Sequence, residues 1–182
     1  MSELLITIDG PAGAGKTTVS RSLADRLGYQ YVDTGALYRG LAVVAAEKGI
    51  ASDDDEGLKR LCSRLSLRFK KAPGGTRLLA NNVDVTDLLR TPEVSMKASA
   101  VSARPIVREF LLGLQRKLGQ EKSVVFEGRD MGTVVFPDAD IKFFLKASAE
   151  IRAKRRFDEL SPDSGATLEA VTRDMKARDH ND

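Results

Sequence analysis

The 182-residue chain has few of the side chains that most often carry covalent or metal chemistry. It contains one cysteine, Cys62, and one histidine, His180. A single cysteine cannot form a disulfide within the chain, and we expect Cys62 to be a small core residue on a helix. The only histidine stands near the end of the sequence, so we expect neither a Ser-His-Asp or Cys-His catalytic arrangement nor a zinc-ligand cluster.

Aromatic residues are also scarce, at 5% of the chain with no tryptophan. Proteins that bind single-stranded nucleic acid usually combine basic groups with aromatic side chains on which bases stack. The net charge of +3 and the pI of about 9.0 are therefore weak indications of a nucleic-acid partner, and we expect none. A nucleotide- or RNA-binding module without catalytic activity is the alternative that these values favour.

Long apolar runs are absent as well, and none approaches the length of a membrane span. The N-terminus leads directly into an apolar strand, without the basic start and cleavage site of a signal peptide. With 42% hydrophobic and 30% charged residues, the chain is typical of a soluble globular protein. We expect it in the cytoplasm, with no membrane partner.

The most informative feature that is present is an apolar strand, Leu4–Ile8, that runs into a complete G-x-x-x-x-G-K-T loop. The glycines of such a loop let backbone N–H groups surround a phosphate chain at the start of a helix. We predict that Lys16 reaches the β- and γ-phosphates of ATP and that Thr17 ligates Mg²⁺. The predicted ATP-binding residues of the loop are Gly10, Pro11, Ala12, Gly13, Ala14, Gly15, Lys16, Thr17 and Thr18.

The hydrophobic pattern predicts an α/β fold, with a P-loop NTPase-type parallel sheet flanked by helices. A helix should follow the loop and end at Gly28, and the apolar run Ile141–Lys146 predicts a parallel strand buried on both faces. The acidic run Asp53–Glu56 fits a helix start and a solvated loop equally well. Further strands are predicted at Tyr29–Val32 and Ser123–Glu127, and further helices at Ala36–Glu47, from Thr91 onward, at Ile106–Leu118 and around Ile151–Arg156.

Between Leu67 and Val85 the pattern changes to short alternating segments separated by turn residues. This change predicts a small antiparallel meander, which indicates an insertion rather than core sheet in an α/β chain. We therefore predict a core formed by residues 1–35 and 104–182, with a lid helix near 148–165, and an inserted α+β region at 36–103.

Polar groups follow three of the predicted strands: the glycine-rich loop, Asp33-Thr34-Gly35, and Gly128-Arg129-Asp130. Ligands of open parallel sheets bind at the carboxyl ends of strands. Arg39 and Arg129 could therefore hold a second phosphate group near Lys16. Two phosphate-bearing substrates favour phosphoryl transfer between nucleotides over simple hydrolysis.

These basic residues also have structural alternatives. Arg129 and Asp130 could form a structural ion pair, and Arg39 could be a solvated helix residue. Three further arginines on one helix could form a solvated face, or a lid that closes over ATP and places a cation on the migrating phosphoryl group. They are Arg152, Arg155 and Arg156, and the sequence does not decide which of them acts.

Together these segments resemble bacterial cytidylate kinases, in register from end to end of the chain. The resemblance implies transfer of the γ-phosphoryl group of ATP to CMP or dCMP with Mg²⁺, and it implies that the inserted region binds the nucleoside monophosphate. It rests most strongly on the GRDMGTVVFPDA run, which is far more specific than the phosphate loop. The segments that carry it are Asp9–Thr18, Asp33–Arg39, Val107–Glu109 and Glu127–Ala139.

The resemblance also implies roles for individual residues. Arg39 and Arg129 would hold the phosphate of CMP, and they form the predicted catalytic set with Lys16 and Arg155. Two further lid arginines would contact ATP, namely Arg152 and Arg156. The remaining predicted CMP contacts are Thr34 and Tyr38 along the sugar, Arg178 and Asp182 at the ribose, and Ser99, Arg108 and Asp130 at the cytosine.

Base chemistry supports the cytosine assignment independently. Cytosine presents acceptors at O2 and N3 and a donor at its 4-amino group. Arg108 can donate to the acceptors, and Asp130 can accept from the amine. Uracil would place a carbonyl oxygen against that carboxylate, so we expect CMP to be preferred over UMP.

The resemblance is incomplete at the C-terminal end, where family members continue with a further arginine, a core strand and a helix. The sequence ends at Asp182, so the resemblance implies an unpaired apolar edge at the fourth core strand. We expect this chain alone to be poorly active or to associate, and a full-length member to be a monomer. Two enzyme alternatives stay open, another small-molecule P-loop kinase and a regulatory GTPase, although Lys146-Ala147-Ser148 stands where a guanine-reading N-K-x-D would follow the fourth strand.

Overall fold

The computed structural model describes residues 3–73, 75–159 and 165–181, without the side chains of residues 177, 178, 180 and 181. The chain forms two compact units. Unit 1 comprises Met1–Tyr31 and Lys122–Asp182, and unit 2 comprises Val32–Glu121.

Unit 1 is built on a sheet of parallel strands. Its elements are β1 (Leu5–Asp9), α1 (Lys16–Leu27), the start of β2 (Gln30–Asp33), β6 (Val124–Gly128), β7 (Ile141–Phe144), α6 (Ala149–Asp158) and α7 (Leu168–Asn181). The strand order is β2-β6-β1-β7, and β1 pairs in parallel with both β6 and β7. Asp9 pairs with Gly128 and with Phe144, so the carboxyl ends of these three strands lie side by side.

The local sequence explains the first strand and helix. β1 and β6 are buried along their whole length, as expected of nearly continuous apolar strands covered on both faces. Ile6, Ile8 and Val125 form one core cluster with Ala24 of α1. Gly28 ends α1 with φ +69° and donates its N–H to carbonyls of the last turn, which confirms the predicted stop.

The last strand of the sheet, β7, differs from its prediction. Burial on both faces was wrong, because Ile141, Phe143 and Phe144 are 37%, 47% and 60% exposed. β7 ends the strand order, so within the described residues it has β1 as its only sheet neighbour. In the part of the chain that the structure describes, a continuous apolar run therefore forms an edge strand.

Unit 2 is a helical cluster that carries an antiparallel meander. Its elements are α2 (Thr34–Glu47), α3 (Asp55–Cys62), β3 (Leu67–Ala72), β4 (Gly75–Ala80), β5 (Val83–Asp84), α4 (Pro92–Ser102) and α5 (Pro105–Leu118). β4 pairs antiparallel with β3 and with β5, as the alternating pattern predicted. The core includes Leu37, Leu41 and Leu111, and it also includes Cys62, whose thiol pKa is raised by burial.

Side-chain caps set the starts of three helices in unit 2. Asp33 accepts from the Ala36 N–H at 3.0 Å, and Thr91 accepts from the Val94 N–H at 3.3 Å. Asp54 accepts from the Gly57 N–H at 2.8 Å, so the acidic run of uncertain assignment begins a helix. Each cap satisfies a backbone donor that the first helical turn leaves unpaired.

The extent of unit 2 differs from the predicted insertion at 36–103, because α5 packs on α3. Arg104, at the start of α5, donates from Nε to Asp55 Oδ1 at 2.7 Å. The hydrogen bond from Arg104 holds the pKa of the Asp55 carboxyl below its usual value. The assignment of the inserted region to nucleoside monophosphate binding stays a prediction.

Two features of unit 1 were not predicted. β6 is followed by a π-helical turn at Met131–Val135, and α7 packs on α6 around Ala153, Val171 and Met175. Within the described ranges, no helix combines the length and the apolar character that crossing a membrane requires.

Candidate active site

The glycine-rich loop lies between β1 and α1 and has the backbone that a phosphate cradle requires. Gly10, Gly13 and Gly15 have φ values of +145°, +74° and +94°, which L side chains rarely adopt. The Ala14 N–H donates to the Pro11 carbonyl at 3.3 Å and closes the loop. The loop delivers the chain to the N-terminus of α1, where backbone N–H groups and the helix dipole favour an anion.

Lys16 begins α1 and folds back over this loop. Its side chain is buried, with 5% of the residue exposed, and its Nζ donates to the Pro11 carbonyl at 2.8 Å. The ammonium group is therefore held beside the backbone that would surround a phosphate chain. This position is compatible with the predicted contact to the β- and γ-phosphates.

A buried carboxylate that the sequence analysis did not assign lies next to Thr17. Glu127, in β6, accepts from Thr17 Oγ1 at 2.9 Å and from the Tyr31 hydroxyl at 2.5 Å. Carboxylate and hydroxyl oxygens suit Mg²⁺, which prefers hard oxygen ligands, so these residues fit the predicted metal. One signal in the sequence could have identified Glu127. It is an acidic residue near the end of an apolar strand, and that strand pairs with β1, which leads into the loop.

Two contacts join the loop to the segment that follows β6. Asp9 is buried, and its two oxygens accept from the backbone N–H groups of Met131 at 2.9 Å and Gly132 at 2.8 Å. Arg129 donates from Nη1 to the Gly10 carbonyl at 3.1 Å. Arg129 and Asp130 thus lie on a segment that is fixed to the start of the phosphate loop.

The three arginines of α6 have different surroundings. Arg152 is 4% exposed and donates to the carbonyls of Ala147 and Ala12 and to both oxygens of Asp179. Arg155 is exposed and donates to the Gly13 carbonyl at 3.4 Å. Arg156 pairs with Glu159 at 3.3 Å, with 40% of its side chain exposed. The loop therefore has arginines of α6 against its backbone.

The predicted CMP-binding residues of unit 2 lie on three helices. Thr34 is buried at the start of α2, and one turn later Arg39 donates to Asp33 at 2.8 Å. Tyr38 packs against the core of the unit. Two further predicted residues are exposed, Ser99 on α4 and Arg108 on α5.

The two predicted ribose contacts cannot be placed in the same way. The side chain of Arg178 and the whole of Asp182 lie outside the described residues. Their roles stay predictions from the resemblance.

Comparison with known proteins identifies the family. The family model for cytidylate kinase matches residues 6–182. The chain belongs to the cytidylate kinase family. It is 54% identical over 157 residues to cytidylate kinase of Geobacter sulfurreducens. That alignment covers 86% of this chain and 67% of the Geobacter protein. It is 48% identical over 181 residues to cytidylate kinase of Syntrophotalea carbinolica. That alignment covers 99% of this chain and 77% of the Syntrophotalea protein.

A solved structure shows the same fold at low sequence identity. A crystal structure of shikimate kinase from Bacteroides thetaiotaomicron matches with a TM-score of 0.51 at 11% identity, over 96% of this chain and 77% of that chain. This likeness confirms the predicted α/β P-loop fold, and it concerns the fold alone, not the substrate.

As a cytidylate kinase family member, the chain is an ATP-dependent phosphotransferase of nucleotide metabolism. The predictions of the family and of a kinase are confirmed, which sets aside the regulatory GTPase and the non-catalytic binding module. The roles of the individual site residues stay predictions.

The tight packing of Gly10, at the start of the phosphate loop, predicts a loss of stability when its side chain is enlarged. A Cβ at this position would lie 2.2 Å from the Leu145 carbonyl oxygen, and φ is +145°. We expect Gly10→Ala to lower the free energy of unfolding by more than about 2 kcal/mol, because both the backbone contact and the dihedral angle are unfavourable. Urea titrations at 25 °C measure the change.

Gly28→Ala is the matched control, because Gly28 also has positive φ but nothing lies within 4 Å of the position that a Cβ would take there. We expect a loss of about 1 kcal/mol from the dihedral angle alone. Equal losses in the two variants would contradict the close approach at Gly10.

Proposed function

We propose that the chain transfers the γ-phosphoryl group of ATP to CMP or dCMP and so forms CDP or dCDP. The observation that carries the proposal is the phosphate loop with its buried Lys16 and Thr17–Glu127 pair. It occurs in a chain whose family model spans residues 6–182. The transfer is a direct in-line displacement, which needs positioning and charge neutralisation rather than a covalent intermediate.

On the donor side, loop N–H groups and Lys16 hold the phosphates of ATP. Lys16 Nζ already lies beside the loop, so phosphate oxygens can take the place of the Pro11 carbonyl as its acceptors. Thr17, with Glu127 close by, would hold Mg²⁺, which neutralises charge on the β- and γ-phosphate oxygens when bound. Glu127 also fixes the rotamer of the Thr17 hydroxyl through the hydrogen bond between them.

On the acceptor side, Arg39 and Arg129 hold the phosphate of CMP. The guanidinium of Arg39 uses Nη2 for Asp33, and within the described part of the chain its buried Nε has no hydrogen-bond partner. Arg39 therefore keeps donors for an anion while Asp33 sets its direction. Because a guanidinium can bind phosphate through two parallel N–H groups, one arginine can both bind and orient the acceptor.

The base is read by complementary hydrogen bonds in this proposal. Ser99 and Arg108 of unit 2, and Asp130 of unit 1, are the residues that the family resemblance assigns to cytosine. An arginine can donate to O2 and N3, and a carboxylate can accept from the 4-amino group. The family resemblance assigns Thr34 and Tyr38 to the sugar, and Arg178 and Asp182 to the ribose.

A substrate panel tests the proposed function. ADP release is measured with Mg-ATP and, separately, CMP, dCMP, UMP, AMP and GMP. We expect turnover with CMP and dCMP at least about tenfold above that with the other nucleotides, because a mismatched buried hydrogen bond costs about 1–3 kcal/mol. Preferred turnover of a different monophosphate would keep the kinase and overturn the cytosine assignment.

Asp130 gives a sharper test of the base reading. Asp130→Asn should reduce the preference for CMP over UMP by about tenfold, because the amide can donate to the uracil carbonyl where the carboxylate cannot. The ratio of kcat/KM values measures the preference. Asp25→Asn, on the exposed surface of α1, is the control and should leave the ratio unchanged. If Asp130→Asn and the parent gave equal ratios, Asp130 would not read the base.

Substitutions of Lys16 and of Arg108 should affect different kinetic constants. Lys16→Ala should mainly lower kcat, by about a hundredfold, because the ammonium acts on the transferred group. Arg108→Ala should mainly raise KM for CMP, because it binds the unreacting base. Lys117→Ala, an exposed site on the same helix as Arg108, should change neither constant. The reverse assignment of kcat and KM effects would contradict both roles.

A further inference from the structure

The most deeply engaged cation of α6 is Arg152. It is 4% exposed, and four of its five N–H groups have acceptors. Nε donates to the Ala147 carbonyl at 3.0 Å, and Nη1 donates to the Ala12 carbonyl of the phosphate loop at 3.1 Å. The remaining two bonds go to the two oxygens of Asp179 on α7, at 2.9 and 2.5 Å.

The bidentate pair with Asp179 determines whether Arg152 can stay in place. A buried guanidinium without a counter-charge is strongly unfavourable, so loss of the carboxylate would drive Arg152 toward water or toward a new partner. Either movement would take Nη1 away from the Ala12 carbonyl. Asp179 therefore acts on the phosphate loop through Arg152.

The Ala12 carbonyl matters because of the planar peptide group to which it belongs. In a trans peptide the C=O of one residue and the N–H of the next point in opposite directions. An arginine that holds the Ala12 carbonyl therefore directs the Gly13 N–H away from α6. Gly13 N–H is one of the loop donors that a phosphate chain would use.

α7 also supports the loop by packing. A Cβ at Gly13 would lie 3.1 Å from Arg152 Cβ and 3.2 Å from Met175 Cε, so both helices contact the loop at this glycine. Met175 is buried in a small cluster with Ala153 and Val171, against which Ala12 packs. The polar and apolar contacts therefore act on the same two loop residues, Ala12 and Gly13.

We propose that Asp179 is a positioning residue for the phosphate loop, and that it holds Arg152 on the loop backbone rather than on ATP. α7 thereby sets the orientation of the loop N–H groups. The effect on ATP rests on the proposed function, but the effect on the loop backbone does not. Among the three arginines of α6, this leaves Arg155, which is exposed, and Arg156, whose side chain is 40% exposed, as the candidates for direct contact with the transferred group.

Asp179→Asn tests the inference, because it removes the charge and keeps the side-chain shape. Asp174→Asn is the matched control, since Asp174 is an exposed carboxylate on the same helix. Amide hydrogen exchange without nucleotide should be about tenfold faster at residues 12–15 in Asp179→Asn than in the parent, with exchange in β6 unchanged. Asp179→Glu, which keeps the carboxylate, should restore part of the protection.

Binding measurements extend the test to the nucleotides. The Kd for Mg-ATP in the absence of CMP should rise about tenfold in Asp179→Asn, while the Kd for CMP stays within about twofold. Unchanged loop exchange, or exchange that rises equally in β6, would overturn the inference by showing no role or only a general structural one. If the parent binds ATP, an equal Kd for ATP in Asp179→Asn and in the parent would also overturn the inference.

The outcomes also separate this inference from the proposed function. A parent that binds ATP but phosphorylates no monophosphate would contradict the proposed function, while the change in ATP affinity would still support Asp179. A parent that binds no ATP would also contradict the proposed function. Loop exchange would then decide the inference by itself.

Discussion

The carboxylate of Asp9 is the contact on which the geometry of the loop region depends. Asp9 is the last residue of β1, and both of its carboxylate oxygens accept hydrogen bonds from backbone N–H groups of the π-helical turn after β6. A buried carboxylate requires such donors, because an unsatisfied buried charge is far costlier than the bonds themselves are favourable. Gly10 follows Asp9 directly, and Arg129 closes the connection at the Gly10 carbonyl. The start of the phosphate loop and the position of Arg129 are therefore fixed together.

Much of the fold could be predicted because it is encoded locally. Glycine spacing, a lysine and a threonine define the phosphate loop whatever surrounds it, and Gly28 ends α1 through its own left-handed backbone. The meander follows from alternating side chains separated by turn residues. The acidic run Asp53–Glu56 stayed open between a helix start and a solvated loop until the structure showed Asp54 capping α3 through the Gly57 N–H.

The parts that could not be predicted depend on neighbours distant in sequence. An apolar run indicates a strand, but the burial of its side chains depends on what packs over its two faces, which no local pattern reports. The side chains of β7 are exposed although the run is apolar. Likewise, a run of three arginines on one helix looks uniform in sequence. Arg152 differs from the other two because Asp179, 27 residues later, supplies its counter-charge.

Glu127 shows an intermediate case in the candidate site. Its type and its place near the end of an apolar strand were visible in the sequence, but its role was not, because the contact with Thr17 spans 110 residues. The register of β1 and β6 places Glu127 opposite Ile8, near the end of the strand that leads into the loop and α1. A prediction of strand order was therefore needed before the acid could be connected to the loop.

The Asp33-Thr34-Gly35 segment repeats in unit 2 what Asp9 does in unit 1. One oxygen of Asp33 caps α2 through the Ala36 N–H, and the other holds Arg39. Gly35 leaves room for that guanidinium, since a Cβ there would lie 2.9 Å from Arg39 Nη1. One carboxylate thus fixes both the helix start and the direction of the arginine, which would lower the entropy that Arg39 loses in the proposed binding of a phosphate. The pairing partly neutralises Arg39, so in that proposal its contribution would depend more on this preorganised direction than on net charge.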